Sequence, residues 1–112
     1  MKPVSEMTDD EIDEALAVDV KGWHLEGTLW KDKNDRVLCS HYNWHPTSNQ
    51  NQAIELTEKM AFVTTCKVSS SGNEWHVMVD KDDDGKFCGS FNTSLSRAIC
   101  EAVLMAVRGD EE

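Results

Sequence analysis

The sequence predicts a small α+β domain in which an antiparallel sheet of about four to five strands is covered by three helices, in the order α-β-β-α-β-β-β-α. Three observations predict it. Three segments carry apolar residues at helical spacing, each with a capping residue in front. Between them lie segments that alternate in period two, broken by turns of Gly, Asn, Asp and Ser. The chain has 112 residues, 39% of them apolar, with four Trp and three Phe, which is enough to close one modest core and too little for two. Strands joined as hairpins make an antiparallel sheet, and an antiparallel sheet needs cover on its apolar face.

The first helix is expected to start at Thr8. Thr8-Asp9-Asp10-Glu11 has the capping-box form, in which hydroxyl and carboxylate satisfy each other's orphan amide donors. Ile12, Ala15 and Leu16 form its apolar stripe, Asp9, Asp10 and Asp13 suit the positive end of the helix dipole, and Gly22 ends it. Trp23 to Trp30 then alternates as one strand, Lys31 to Asp35 is a turn, and Arg36 to Tyr42 is the return strand. Pro46 excludes further central-strand pairing, and Thr47 or Ser48 is expected to cap a second helix from about Asn49 to Met60, with the stripe Ala53, Leu56, Thr57 and Met60.

Phe62 to Val68 reads as a strand, Ser69 to Asn73 as a turn, and Trp75, Val77 and Val79 as the inward phase of the next strand. A second turn at Asp80 to Gly85 leads to a strand through Phe87, Gly89 and Phe91. The last helix is capped by Thr93 or Ser94 and carries Leu95, Ala98, Ile99, Ala102, Val103 and Ala106 on one face, with Arg97, Glu101 and Arg108 on the opposite side. Leu104, Met105 and Val107 widen its apolar stripe, so deep packing is expected. The reading is one domain over 1–112, with an ordered core over about 8–108 and an acidic tail at 109–112.

Composition excludes several classes of function. The formal net charge is −10, from 11 basic and 21 acidic residues, so direct binding of nucleic acid or of an anionic membrane is not expected. No apolar run approaches the roughly 20 residues of a membrane helix. The first ten residues hold one Lys and three acids and no apolar stretch, so no secretory signal is expected there. Cys39, Cys66, Cys88 and Cys100 are scattered, and reduced thiols in a cytoplasmic setting are the expectation.

The order of several local patterns resembles a known family. The helix Thr8-Asp9-Asp10-Glu11-Ile12-Asp13 leads to Gly22-Trp23, and Trp30 follows near the end of the first strand. Pro46-Thr47 opens a helix that ends in Glu58-Lys59-Met60, Trp75-x-Val77 marks a late strand, and the chain closes on Ser94-Leu95-Ser96-Arg97-Ala98-Ile99-Cys100-Glu101-Ala102. Over roughly Asp9 to Val107 this is similar to the phage ABA sandwich family. The resemblance implies a sheet sandwiched between helices, a phage or prophage origin and hence the host bacterial cytoplasm. It implies no activity, because the family has no general biochemical role, and the matching residues read as core and caps. The acidic run from Asp80 to Lys86 departs from the family pattern.

Each chemical motif meets a plainer reading. Asp80-Lys81-Asp82-Asp83-Asp84-Gly85 matches the first half of a calcium loop, but the twelfth position is Phe91 where a bidentate Glu is needed, so it reads as a turn. Cys39, His41 and His45 suggest zinc but lack a fourth ligand. Cys66, His76 and Asp80 make a nucleophilic set on paper, with nothing local to orient it. No enzyme, metal or cofactor is therefore expected. The leading expectation is an acidic phage accessory protein that binds a protein of host or phage, with a basic nucleic-acid-handling or host-defence protein as the target class. The alternative is an oligomeric housekeeping or assembly module with the last helix at its interface. Two segments carry the expected contacts: Asp80, Asp82, Asp83 and Asp84, projected by a turn, and the aromatic segment Tyr42, Trp44 and His45.

Overall fold

A computed structural model describes residues 4–58, 60, 62–68, 74–80, 88–92 and 94–108. After a 3₁₀ turn at Val4–Glu6 comes α1 (Asp9–Asp19), then β1 (His24–Glu26), β2 (Leu29–Lys31) and β3 (Val37–Ser40). A second 3₁₀ turn at His41–Asn43 precedes α2 (Gln50–Thr57). The second half runs β4 (Phe62–Val68), β5 (Glu74–Asp80), β6 (Cys88–Asn92) and α3 (Leu95–Arg108). The strands form two antiparallel three-stranded sheets, β1-β2-β3 and β4-β5-β6.

Local chemistry accounts for the boundaries. Thr8 and Glu11 make the full capping box at the start of α1, with the Glu11 N–H on Thr8 Oγ1 at 3.2 Å and the Thr8 N–H on Glu11 Oε1 at 2.9 Å. Gly22, at φ +72°, turns the chain out of α1 so that the Trp23 N–H reaches back to the Ala17 carbonyl at 3.0 Å. The segment Trp23 to Trp30, expected as one strand, is a tight hairpin instead. Gly27 takes φ +65° at the first position of a two-residue turn, and Glu26 faces Leu29 across it. The cap of α2 is Asn49, whose side chain accepts from the Gln52 N–H at 3.2 Å, and neither Thr47 nor Ser48. Ser94 caps α3, accepting from the Arg97 N–H at 3.3 Å.

The layering differs from the expected sheet between helices. Val77 and Val79 of β5 are fully buried and α3 packs on β5 and β6, while α1 and α2 pack on α3. Among the described residues, α1 and α2 thus pack chiefly on α3, and α3 makes the main helix contact with the larger sheet. His76 and Met78, on the other face of β5, are half-buried. Residues 98 to 105 of α3 are all buried, and the apolar groups at its two ends, Leu95, Ala106 and Val107, are half-buried.

Glu101, placed by periodicity on the polar side of α3, is also buried. It accepts from Arg97 Nε at 3.0 Å and from the Ser90 hydroxyl of β6. Arg97 also donates to Asp9 and to the Met7 carbonyl, so one guanidinium ties α3 to the start of the chain. Cys39 and Cys100 are free thiols, Cys39 half-buried and Cys100 buried; burial pushes both thiols above their ordinary range. The side chains of Cys66 and Cys88 lie outside the described set.

Candidate functional site

The smaller sheet is too short to bury its apolar residues. Its strands have three, three and four residues, and only Trp30 among them is fully buried. Cross-strand register puts Leu25, Trp30 and Cys39 on one face and Glu26, Leu29 and Ser40 on the other. Alternation along β3 places Leu38 beside Leu29 on that outer face. Leu25, Leu29, Val37 and Leu38 are 37–58% exposed, and Tyr42, in the turn that follows, is 70% exposed. Several large apolar groups thus stand partly in water within eighteen positions, divided between the two faces of the sheet. The His41 N–H on the Thr28 carbonyl, at 2.7 Å, fixes the Tyr42 turn against the β1–β2 hairpin.

Beneath this sheet three tryptophans join it to α1. Trp23 stacks edge-on to Trp44 at 4.8 Å between ring centres and lies tilted to Trp30 at 6.4 Å. Trp44 Nε1 donates to the Asp13 carbonyl at 2.7 Å. The Asp13 side chain, 5% exposed, accepts from the Thr47 N–H at 3.0 Å, and its second oxygen lies 3.5 Å from His45 Nδ1. Burial pushes the Asp13 carboxyl above the ordinary carboxylate range, more than the Thr47 hydrogen bond and the nearby His45 imidazole pull it down. Asp10, Asp13, Glu14, Trp30, His41, Trp44 and His45 line a small open pocket here.

The expected contact residues divide. Tyr42 is exposed as the anchor reading requires. Trp44, 4% exposed, is core, and its ring serves the tryptophan cluster. His45 turns inward toward Asp13, with Nε2 at 2.7 Å from the Tyr42 carbonyl. Asp80 is corrected: it closes β5, opposite Phe62, and is 2% exposed, so it does not stand in a solvated turn. Asp82, Asp83 and Asp84 lie outside the described residues. Cys66 does face His76 across β4 and β5, but Asp80 is four positions along the strand from His76, about 13 Å at strand rise, so the three do not assemble. Cys39, His41 and His45 do not gather as ligands; the described groups that do are Asp10 with Asp13 and His45, and the exposed His24 with Glu26 and Asp35.

Sequence reasoning missed Asp13. The signal was present: Asp13, Leu16, Ala17 and Val20 share helical spacing, so an acid heads the buried stripe of α1. The exposure of Leu29 and Leu38 has no signal in the sequence, because alternation implies cover on one face and a three-residue strand cannot supply it.

These features define an α+β domain of helices stacked on antiparallel sheets, with a small exposed sheet beside a tryptophan-lined pocket. A family model for the phage ABA sandwich domain matches residues 14–104, and the chain belongs to that family. Its fold is similar to that of a phage protein from Bacillus cereus ATCC 14579, known from a crystal structure, with a TM-score of 0.71 and 19% identity over 89% of this chain and 92% of that one. Comparison with curated proteins finds no match. No described helix is long and apolar enough to cross a membrane.

Proposed function

We propose that this phage-family protein is a non-enzymatic binding module that acts in the host cytoplasm by docking the outer face of its small sheet on another protein. The observation that carries the reading is that Leu29 and Leu38, on that outer face, and Tyr42, in the turn that follows β3, are all more than a third exposed. Aromatic and aliphatic groups of this kind form the desolvated centre of protein interfaces, with charges at the rim. Here the rim is mixed: Glu26 pairs with Lys31 at 3.1 Å and His24 with Asp35 at 3.1 Å. That favours an apolar partner surface over the purely basic one suggested by net charge. Interference with a host defence or nucleic-acid-handling protein remains the target class that the charge of −10 suits.

The test is affinity capture from a host lysate with the full chain as bait, read by mass spectrometry, beside the double variant Leu29→Ser, Leu38→Ser. A protein retained by the parent and lost from the variant supports the reading. Identical captures from both baits overturn it. Light scattering on the free chain identifies self-association through the same face, the form in which an assembly module would use it.

A further inference from the structure

We infer that Asp10, Asp13 and His45 form a site for one divalent transition ion, of the Zn²⁺ or Mn²⁺ class, at the pocket between α1 and the segment that leads into α2. The ligand atoms of the three side chains all lie within 4.8 Å of one another. The imidazole among them selects against Ca²⁺ and Mg²⁺, which take oxygen, and two carboxylates balance the charge of a dication.

The hydrogen bonding around the ligands points the same way. His45 Nε2 lies 2.7 Å from the Tyr42 carbonyl, which can only accept, so Nε2 carries the proton. The other nitrogen, Nδ1, then turns toward Asp13 Oδ2 at 3.5 Å. That is beyond the 2.7–3.2 Å of an N–H···O bond. It is close to the separation of two ligands that share one ion, roughly 2.9–3.4 Å for bonds of about 2.0–2.1 Å. A neutral imidazole here sets one lone pair against another, and an ion between them removes the conflict. Both ligands are oriented from behind by backbone, His45 by the Tyr42 carbonyl and Asp13 Oδ1 by the Thr47 N–H at 3.0 Å. Asp10, on the exposed turn of α1, has the freedom to close the remaining gap.

A separate observation marks the pocket as a place for a ligand. Trp30 lines it and is 1% exposed, and its Nε1 is the one buried side-chain donor without a partner among the described residues. A buried N–H left unpaired costs about 1–3 kcal/mol. A water or anion oxygen on the ion would accept from it. Three protein ligands leave such a position open, and the rim at Asp10, Glu14 and His41 is exposed.

The test is calorimetric titration of the untagged full chain with Zn²⁺, Mn²⁺, Ca²⁺ and Mg²⁺ in turn, with Asp10→Asn, His45→Gln and Asp35→Asn beside the parent. Asp10 is exposed and His45 half-buried, so both variants are expected to keep their circular dichroism spectra. One equivalent of Zn²⁺ or Mn²⁺ should bind to the parent and to Asp35→Asn. Affinity should fall about 10- to 100-fold in Asp10→Asn and in His45→Gln. With Mn²⁺ bound, nitrogen coupling in the electron spin echo should disappear in His45→Gln. Absence of saturable binding overturns the site, as does binding that Asp10→Asn and His45→Gln leave intact or that Asp35→Asn abolishes.

Discussion

The two sheets are both antiparallel and three-stranded, yet one is the wall of the core and the other stands largely outside it. In β4-β5-β6 the paired run is seven residues long, and β5 turns Val77 and Val79 fully into α3. In β1-β2-β3 no strand exceeds four residues, and Trp30 alone is fully buried. The difference is one of length and cover. A seven-residue strand places three or four side chains on one face, enough to seat a fourteen-residue helix. A three-residue strand places one or two, so the small sheet is held by its tryptophan, and its leucines are left in water.

The largest expected effect is in the covered half. Ile99→Asp puts a charge in the middle of α3, and unfolding with a loss of about 4 kcal/mol or more is expected, read by urea titration of helical ellipticity. Survival of the fold would place that face outside the core. Next comes Arg97→Ala, which leaves Glu101 buried without its cation. Breaking a buried pair costs about 3–5 kcal/mol, and partial exposure of the Arg97 side chain, 16%, brings the expectation to about 2–3 kcal/mol. A double variant with Glu101→Gln should recover part of that loss.

Smaller effects sharpen the boundary between the halves. Trp44→Phe keeps an aromatic group but loses half of the indole and its bond to the Asp13 carbonyl, and a cost of about 2 kcal/mol is expected from equilibrium unfolding. Cys100 should resist a thiol reagent until the chain unfolds, because burial holds its thiol far above the ordinary range and out of reach. Cys39, half-buried in the small sheet, should be labelled in the folded protein, as peptide mapping would show.

Much of the covered half was legible in the sequence. The Thr8–Glu11 capping box, the inward Val77 and Val79, and the broad apolar face of α3 all have local signatures, because caps and periodicity are set by neighbours along the chain. The small sheet was not legible. A two-residue turn preserves the period-two parity of its strands, so Trp23 to Trp30 alternates as though unbroken, and only Gly27 marks the reversal. The burial of Asp13, Asp80 and Glu101 was also hidden, since each depends on packing across elements distant in sequence. The same holds for the candidate site, where Asp10 and Asp13 sit on α1 and His45 joins them across the fold.

The claim that the outer face of the small sheet serves binding and adds nothing to the fold is tested most directly by the unfolding free energy of the Leu29→Ser, Leu38→Ser variant. Exposed positions away from packed contacts change stability by less than about 0.5 kcal/mol each. The variant should therefore unfold within about 1 kcal/mol of the parent at an unchanged denaturant slope. A loss of 2 kcal/mol or more, on the order of a buried leucine pair, would show that these side chains belong to the core and would contradict the account.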